Sequence, residues 1–183
     1  MNVEETCIPG AWVISTPAFE DNRGAFSRLF CSQELEPVIG NKNIVQINHS
    51  KTHSVGAVRG LHFQNSPNAE TKIVRCIKGR VFDVAVDLRP NSQTFLKWTA
   101  IELTPESHTA FVIPEGCAHG FQVLEEDSEL LYLHTAFYSP DDEGGVRYDD
   151  SMIGIDWPLI PTDLSERDLS HAYLTNNYKG IIL

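Results

Sequence analysis

With 25 acidic residues against 14 basic ones in 183, the chain carries a formal charge of −11. That balance repels a phosphate backbone over most of the surface and argues against a nucleic-acid partner, and no apolar run approaches the ~20 residues of a membrane helix, so no membrane partner is expected either. The length suits one domain, residues 1–183, burying roughly 70% of its unfolded surface without metal or disulfide staples.

Cys7, Cys31, Cys76 and Cys117 show no C-x-x-C spacing, and the start of the chain lacks a charged segment followed by an apolar one. Both point to a reducing, cytoplasmic home. From Pro9 to Phe30, two strand-like runs flank the turn signal Asp21-Asn22-Arg23-Gly24. Ser32-Gln33-Glu34-Leu35-Glu36 is helical in character, but Pro37 limits it to about one turn. Ile44 to Ser50 alternates and leads into Val58 to Gln64. There alternation puts His62 on one face with Val58, Gly60 and Gln64, and Arg59 on the other with Leu61 and Phe63. A histidine so placed is either a satisfied core group or a base.

Further strands are expected at Ile73–Lys78 and Arg80–Leu88, read as a hairpin around Lys78-Gly79, with Phe82, Val84, Val86 and Leu88 on one face and Asp83 and Asp87 on the other. Phe95–Leu103, Thr109–Ile113, His119–Leu124 and Glu129–Tyr138 follow. In the last of these Tyr132, His134 and Tyr138 share a face, with about 20 Å between the two tyrosines if the strand stays regular. So many short strands with frequent turns, and so little amphipathic helix, indicate an all-β sandwich or barrel. The last forty residues, rich in turns and proline, are expected to cover it and to end in a helical turn over Leu164–Leu169 with Ser165 near its start.

The local cations to which a phosphorylated ligand would turn are Arg23, Arg28, Arg59, Lys72 and Arg167. Pro114-x-Gly116-x-x-His119 has the form of the second metal motif of cupin jelly rolls. The matching first motif reads His62-Phe63-Gln64, with glutamine where a second imidazole belongs. Two histidines without further ligands hold a catalytic metal poorly, so the expectation is a cupin-shaped cavity, no metal, and histidines free for proton transfer.

Arg59–Gln64 (R-G-L-H-F-Q), Lys78–Arg89 (K-G-R-V-F-D-V-A-V-D-L-R), Ile113–Phe121 (I-P-E-G-C-A-H-G-F), Leu130–Tyr132 (L-L-Y) and Gly154–Pro158 (G-I-D-W-P) resemble, in order, the dTDP-4-dehydrorhamnose 3,5-epimerase family, and the likeness runs across nearly the whole chain. The resemblance implies a double-stranded β-helix jelly roll, a homodimer and an isomerase that needs no cofactor. Its substrate would be a nucleoside-diphosphate-linked 4-keto-6-deoxy hexose, inverted at C3 and C5 through an enolate, in deoxysugar and surface-polysaccharide synthesis. It implies His62 as base, Asp168 as its orienter, Lys72 as partner of the enolate oxygen and Tyr132 as proton donor. It also implies that His119, Arg59, Arg23 and Arg167 contact sugar or diphosphate, that Tyr138 stacks on the nucleobase, and that Gln46, Asn48 and Glu143 contact the nucleotide.

Three positions depart from the family pattern. Arg28 stands in place of a glutamate, Ile47 in place of an aspartate, and Leu133-His134 follow the tyrosine where a lysine is common. The first two bear on nucleobase recognition and His134 on which carbon is reprotonated. A 3-epimerase, or less often a 5-epimerase, therefore stays open, as do cytidine, guanosine and uridine carriers. Outside this class stand a non-catalytic sugar-nucleotide-binding cupin and a metal-dependent isomerase or oxygenase.

Overall fold

The computed structural model describes residues 1–183. Along the chain run β1 (Asn2–Glu5), β2 (Trp12–Ser15), β3 (Ala18–Asp21), β4 (Gly24–Ser27), α1 (Ser32–Ile39), β5 (Gln46–Thr52), β6 (Val58–Gln64) and β7 (Lys72–Lys78). After them come β8 (Val81–Asp87), β9 (Trp98–Leu103), β10 (Thr109–Ile113), β11 (Cys117–Val123), β12 (Ser128–His134), β13 (Glu143–Gly145) and α2 (Glu166–Ser170). A six-stranded sheet, in the order β1-β2-β10-β7-β12-β5, faces a five-stranded sheet, β13-β6-β11-β8-β9, while β3 and β4 form a separate hairpin.

Burial explains the layering. Val74, Phe111 and Leu130 from the larger sheet interlock with Val81, Ala85 and Phe121 from the smaller in one core. Behind the smaller sheet, Leu61, Val84, Val86 and Leu88 are covered by Val146, Ile153 and Ile181 of the C-terminal segment, with Trp157 and Tyr178 against them. Behind the larger, Ile14, Ile73, Val112 and Leu133 are covered by Leu35 and Ile39 of α1. Strands buried on both faces read as near-continuous apolar runs, as β8 does. The result is the all-β, cupin-like jelly roll.

Several local expectations change. β7 and β8 are not a hairpin. They lie in different sheets, and Gly79, with φ +76°, carries the chain across against Ser128, whose hydroxyl would lie 2.4 Å from a Cβ there. The helix runs through Pro37 to Ile39 because its buried Leu35 and Ile39 outweigh the one backbone bond that proline removes. Pro9 to Phe30 holds three strands, and β1 pairs with β2 in addition. β9 begins only at Trp98, after Leu96 takes φ +62°. β12 ends at His134, so Tyr138 lies beyond the alternation that would have aligned it with Tyr132. No helix is long and apolar enough to cross a membrane.

Two core thiols make stability pH-dependent. Burial pushes Cys76 from an ordinary 9.0 up to about 11 and Cys117 up to about 12. The folded chain keeps protons there that the unfolded chain releases, so stability is full below pH 9 and falls as pH rises toward 11 and 12. Melting temperature followed by circular dichroism should be level just below pH 9 and fall steadily above it, and a level curve up to pH 11 would contradict this.

Candidate active site

The site begins at a β-bulge. β6 and β11 pair His62 with His119 and Arg59 with Phe121, with a register shift between the two. Gly60 and Leu61 together therefore oppose the single Gly120. One extra residue reverses the alternation, so Arg59 and His62, expected on opposite faces, both line one cavity, while Leu61 turns into the core. Only glycines permit this approach. A Cβ on Gly60 would lie 2.6 Å from Gly120 Cα, and one on Gly120 would lie 2.7 Å from the Arg59 carbonyl oxygen.

The cavity, about 730 Å³, opens between the two sheets. The smaller sheet contributes Arg59, His62 and His119, and the larger contributes Asn48, Ser50, Lys72, Tyr132 and His134. Asp163, Ser165, Arg167 and Asp168 close it from the C-terminal segment. An adjoining recess of about 190 Å³ adds Gln46, Glu70, Tyr138 and Glu143.

His62, His119, Lys72 and His134 each meet a carboxylate inside the cavity. His62 Nε2 donates to Asp168 Oδ1 at 2.7 Å, leaving Nδ1 as the ring's lone pair. Asp168 Oδ2 accepts from the Gly60 N–H, and the Asp168 N–H is capped by Ser165 Oγ at 3.0 Å. Burial alone would raise the Asp168 carboxyl, but His62, the Gly60 N–H and Ser165 hold it below its ordinary value. His119 Nε2 lies 2.8 Å from Asp83 Oδ1, with Asp83 fully buried. Glu70 divides its oxygens between Lys72 Nζ at 3.1 Å and His134 Nδ1 at 2.6 Å. Against burial, which raises it, these partners keep that carboxyl low.

The Tyr132 hydroxyl meets Ser50 Oγ at 2.9 Å, and burial pushes the phenol above its ordinary value. Its ring lies edge-on to His119 and stacked on His134. At the rim, the Tyr138 hydroxyl donates to Glu143 Oε2 at 2.8 Å, Arg167 pairs with Glu143, and Gln46 Oε1 accepts from the Tyr138 N–H at 3.1 Å.

The fold thus gathers twelve of the fourteen residues singled out from the sequence and leaves two aside. Arg23 sits at the β3–β4 turn paired with Asp21, 85% exposed. Arg28 pairs with Glu34 beside a separate recess of about 220 Å³. Ile47 lines the main cavity, 61% exposed. Gln64, in the place of a metal-binding imidazole, spends its amide on the Asn68 and Phe137 carbonyls and the Ser139 N–H. The acids Glu70 and Asp83 went unremarked as site residues. Asp83 had a legible signal, a carboxylate in mid-strand on the face opposite Val84, with apolar neighbours on both sides.

Comparison with known proteins points one way. A family model described as dTDP-4-dehydrorhamnose 3,5-epimerase matches residues 5–176. The dTDP-4-dehydrorhamnose 3,5-epimerase of Salmonella typhimurium is 45% identical over 177 residues, 95% of this chain and 96% of that protein. The crystal structure of the Elizabethkingia anophelis dTDP-4-dehydrorhamnose 3,5-epimerase superposes with a TM-score of 0.91 at 38% identity, covering 97% of this chain and 98% of that one. A dTDP-6-deoxy-D-glucose-3,5-epimerase of Legionella pneumophila, in complex with dTDP-4-keto-L-rhamnose, superposes with a TM-score of 0.89 at 37% identity, covering 94% and 92%.

The bulge has a direct test. Gly120→Ala forces a methyl against the Arg59 carbonyl at 2.7 Å, and is expected to lower stability by about 1–3 kcal/mol in urea unfolding. An unchanged midpoint would rule out so close an approach of β6 and β11.

Proposed function

This chain belongs to the dTDP-4-dehydrorhamnose 3,5-epimerase family, and from that membership we infer that it is an isomerase inverting C3 and C5 of a thymidine-diphosphate-linked 4-keto-6-deoxy hexose. The observation that carries the reading is the opposition across one cavity of the His62–Asp168 pair on one wall and Tyr132 with Lys72 on the other. Inversion next to a ketone needs this arrangement. The C4 carbonyl acidifies the hydrogens on C3 and C5, a base removes one from one face, and a donor returns one to the other.

In this reading His62 Nδ1 takes the proton, and the Asp168 carboxylate holds the ring and stabilises the imidazolium. The Lys72 ammonium, tethered by Glu70, faces the enolate oxygen. A donor aimed at developing negative charge is typically worth roughly 3 kcal/mol. Tyr132, protonated at neutral pH like any phenol and held further toward that form by burial, returns a proton from the opposite wall. His119, oriented by Asp83, contacts the sugar. Arg59 and Arg167 meet the diphosphate, Tyr138 stacks on the base, and Gln46, Asn48 and Glu143 make polar contacts along the nucleotide. His134, stacked on Tyr132 and bonded to Glu70, bears on reprotonation and hence on the balance between the two carbons.

We further propose that residues 1–183 act as one domain in a cytoplasmic homodimer. The four thiols are free, as a reducing compartment would keep them. A lone two-stranded hairpin is marginal in water, yet β3–β4 stands apart with Phe19 and Phe26 74% and 73% exposed, and a second copy would cover it. Arg23 and Arg28 enter the reading only through such pairing. Sedimentation velocity should give a dimer mass, and a monomer at all micromolar concentrations would reject it.

Substrate incubated with enzyme in heavy water should gain deuterium at C3 and C5, read by proton NMR. His62→Ala should slow this by about 10²-fold or more. Tyr132→Phe should retain exchange on the His62 face while losing inversion. Deuterium at C3 alone would narrow the activity to 3-epimerisation. No exchange with thymidine, cytidine, guanosine or uridine carriers would overturn the reading, and equal loss of exchange and inversion in Tyr132→Phe would remove Tyr132 as donor.

A further inference from the structure

Beside the His62–Asp168 pair stands a third group that the epimerisation does not use. His171 closes helix α2, three residues after Asp168, so both residues rise on the same side of one helical turn. Its Nε2 is buried and has no hydrogen-bond partner. The ring sits edge-on to His62, with centroids 6.1 Å apart. It fits there because Gly145, directly opposite His62 in the β13–β6 pairing, has no side chain. A Cβ at that position would lie 2.2 Å from His171 Nε2. One nitrogen of each histidine and one oxygen of Asp168 all fall within 4.8 Å of one another.

We propose that His62, Asp168 and His171 form a binding site for a divalent transition-metal ion, zinc foremost, whose occupation switches the enzyme off. Two imidazoles and a carboxylate make a three-ligand set that leaves a fourth position open toward the cavity. Around zinc, with bonds of about 2.0–2.1 Å, neighbouring ligand atoms stand roughly 3.3 Å apart. The 2.7 Å contact of His62 with Asp168 then opens slightly and His171 closes in.

Inhibition follows from the tautomer and rests on the reading of His62 as base. With its Nε2–H donated to Asp168, His62 keeps the Nδ1 lone pair for substrate. Coordination takes the Nε2 lone pair instead. The ring's single proton moves to Nδ1, the ion gives up a bound water, and no lone pair remains to accept a substrate proton. The Asp168 oxygen that orients the ring is consumed by the same ion. His119 stays outside, since only His62, Asp168 and His171 converge within 4.8 Å of one another.

Cobalt(II) is the direct probe, because its visible d–d absorption reports imidazole and carboxylate ligation independently of turnover. Titration of the metal-stripped protein should give a saturable band at one ion per chain. Zinc should displace it, and added zinc should abolish epimerisation until a chelator restores it. His171→Ala and His171→Gln should keep epimerisation while needing about tenfold more metal or more for either effect. Gly145→Ala, which pushes the His171 ring aside, should weaken cobalt binding in a chain whose His171 is intact. No band, or a band and zinc sensitivity unchanged in all three variants, would overturn the site. Cobalt binding lost in the variants, with no epimerisation in any form of the protein, would leave the metal site standing and reject the epimerase reading alone.

Discussion

The contact of Gly60 with Gly120 is the constraint from which the site is built. Two strands of the smaller sheet approach until a methyl group on either glycine would strike backbone, and the shift in register there turns Arg59 to the side of His62. Regular pairing would keep these two side chains on opposite faces, one in the cavity and one behind the sheet. The same irregularity turns Leu61 into the core behind the sheet and leaves the Gly60 N–H to donate to Asp168. A local crowding of backbone thus brings Arg59, His62 and Asp168 together.

Around that frame the cavity solves an electrostatic problem. Three histidines and a lysine in one half-buried space would repel one another if charged and would lose solvation in either state. Each instead faces a buried carboxylate: Asp168 for His62, Asp83 for His119, and Glu70 for both Lys72 and His134. Such pairs contribute little net stability, because desolvation offsets most of the attraction. Their effect is orientation: each histidine's carboxylate fixes which ring nitrogen it engages, and Glu70 tethers the Lys72 ammonium. Part of the chain's acidic excess is therefore spent inside, neutralising the cluster it surrounds.

Strands were legible in the sequence where the signal is local. Val58–Gln64 and Thr109–Ile113 emerge with their expected bounds, and the Ser165 cap falls where a serine before an acidic turn predicts it. What failed depends on two strands at once. A bulge is a relation between Gly60 and Gly120, sixty residues apart, and alternation within one strand cannot reveal it. Lys78-Gly79 has the same local chemistry whether the chain folds back on itself or crosses to the facing sheet. Asp168 entered the site only through family likeness, because no periodicity links it to His62 across 106 residues. Asp83 showed its face but not its partner, which only the register of β8 against β11 supplies.

The C-terminal segment then does more than cover the smaller sheet. A helix of five residues has no stability of its own in water, so α2 exists only because Ser165 caps it and Asp168 is drawn into the cavity wall. The chain around it is held by Ile153 and Ile181 in the core behind β6, with Trp157 and Tyr178 packed against that core. Docking of that apolar segment and assembly of the His62–Asp168 pair are consequently one event. His62 acquires its carboxylate partner only in a chain whose last forty residues have closed over the sheet, and the arrangement proposed for proton transfer inherits the cooperativity of the fold.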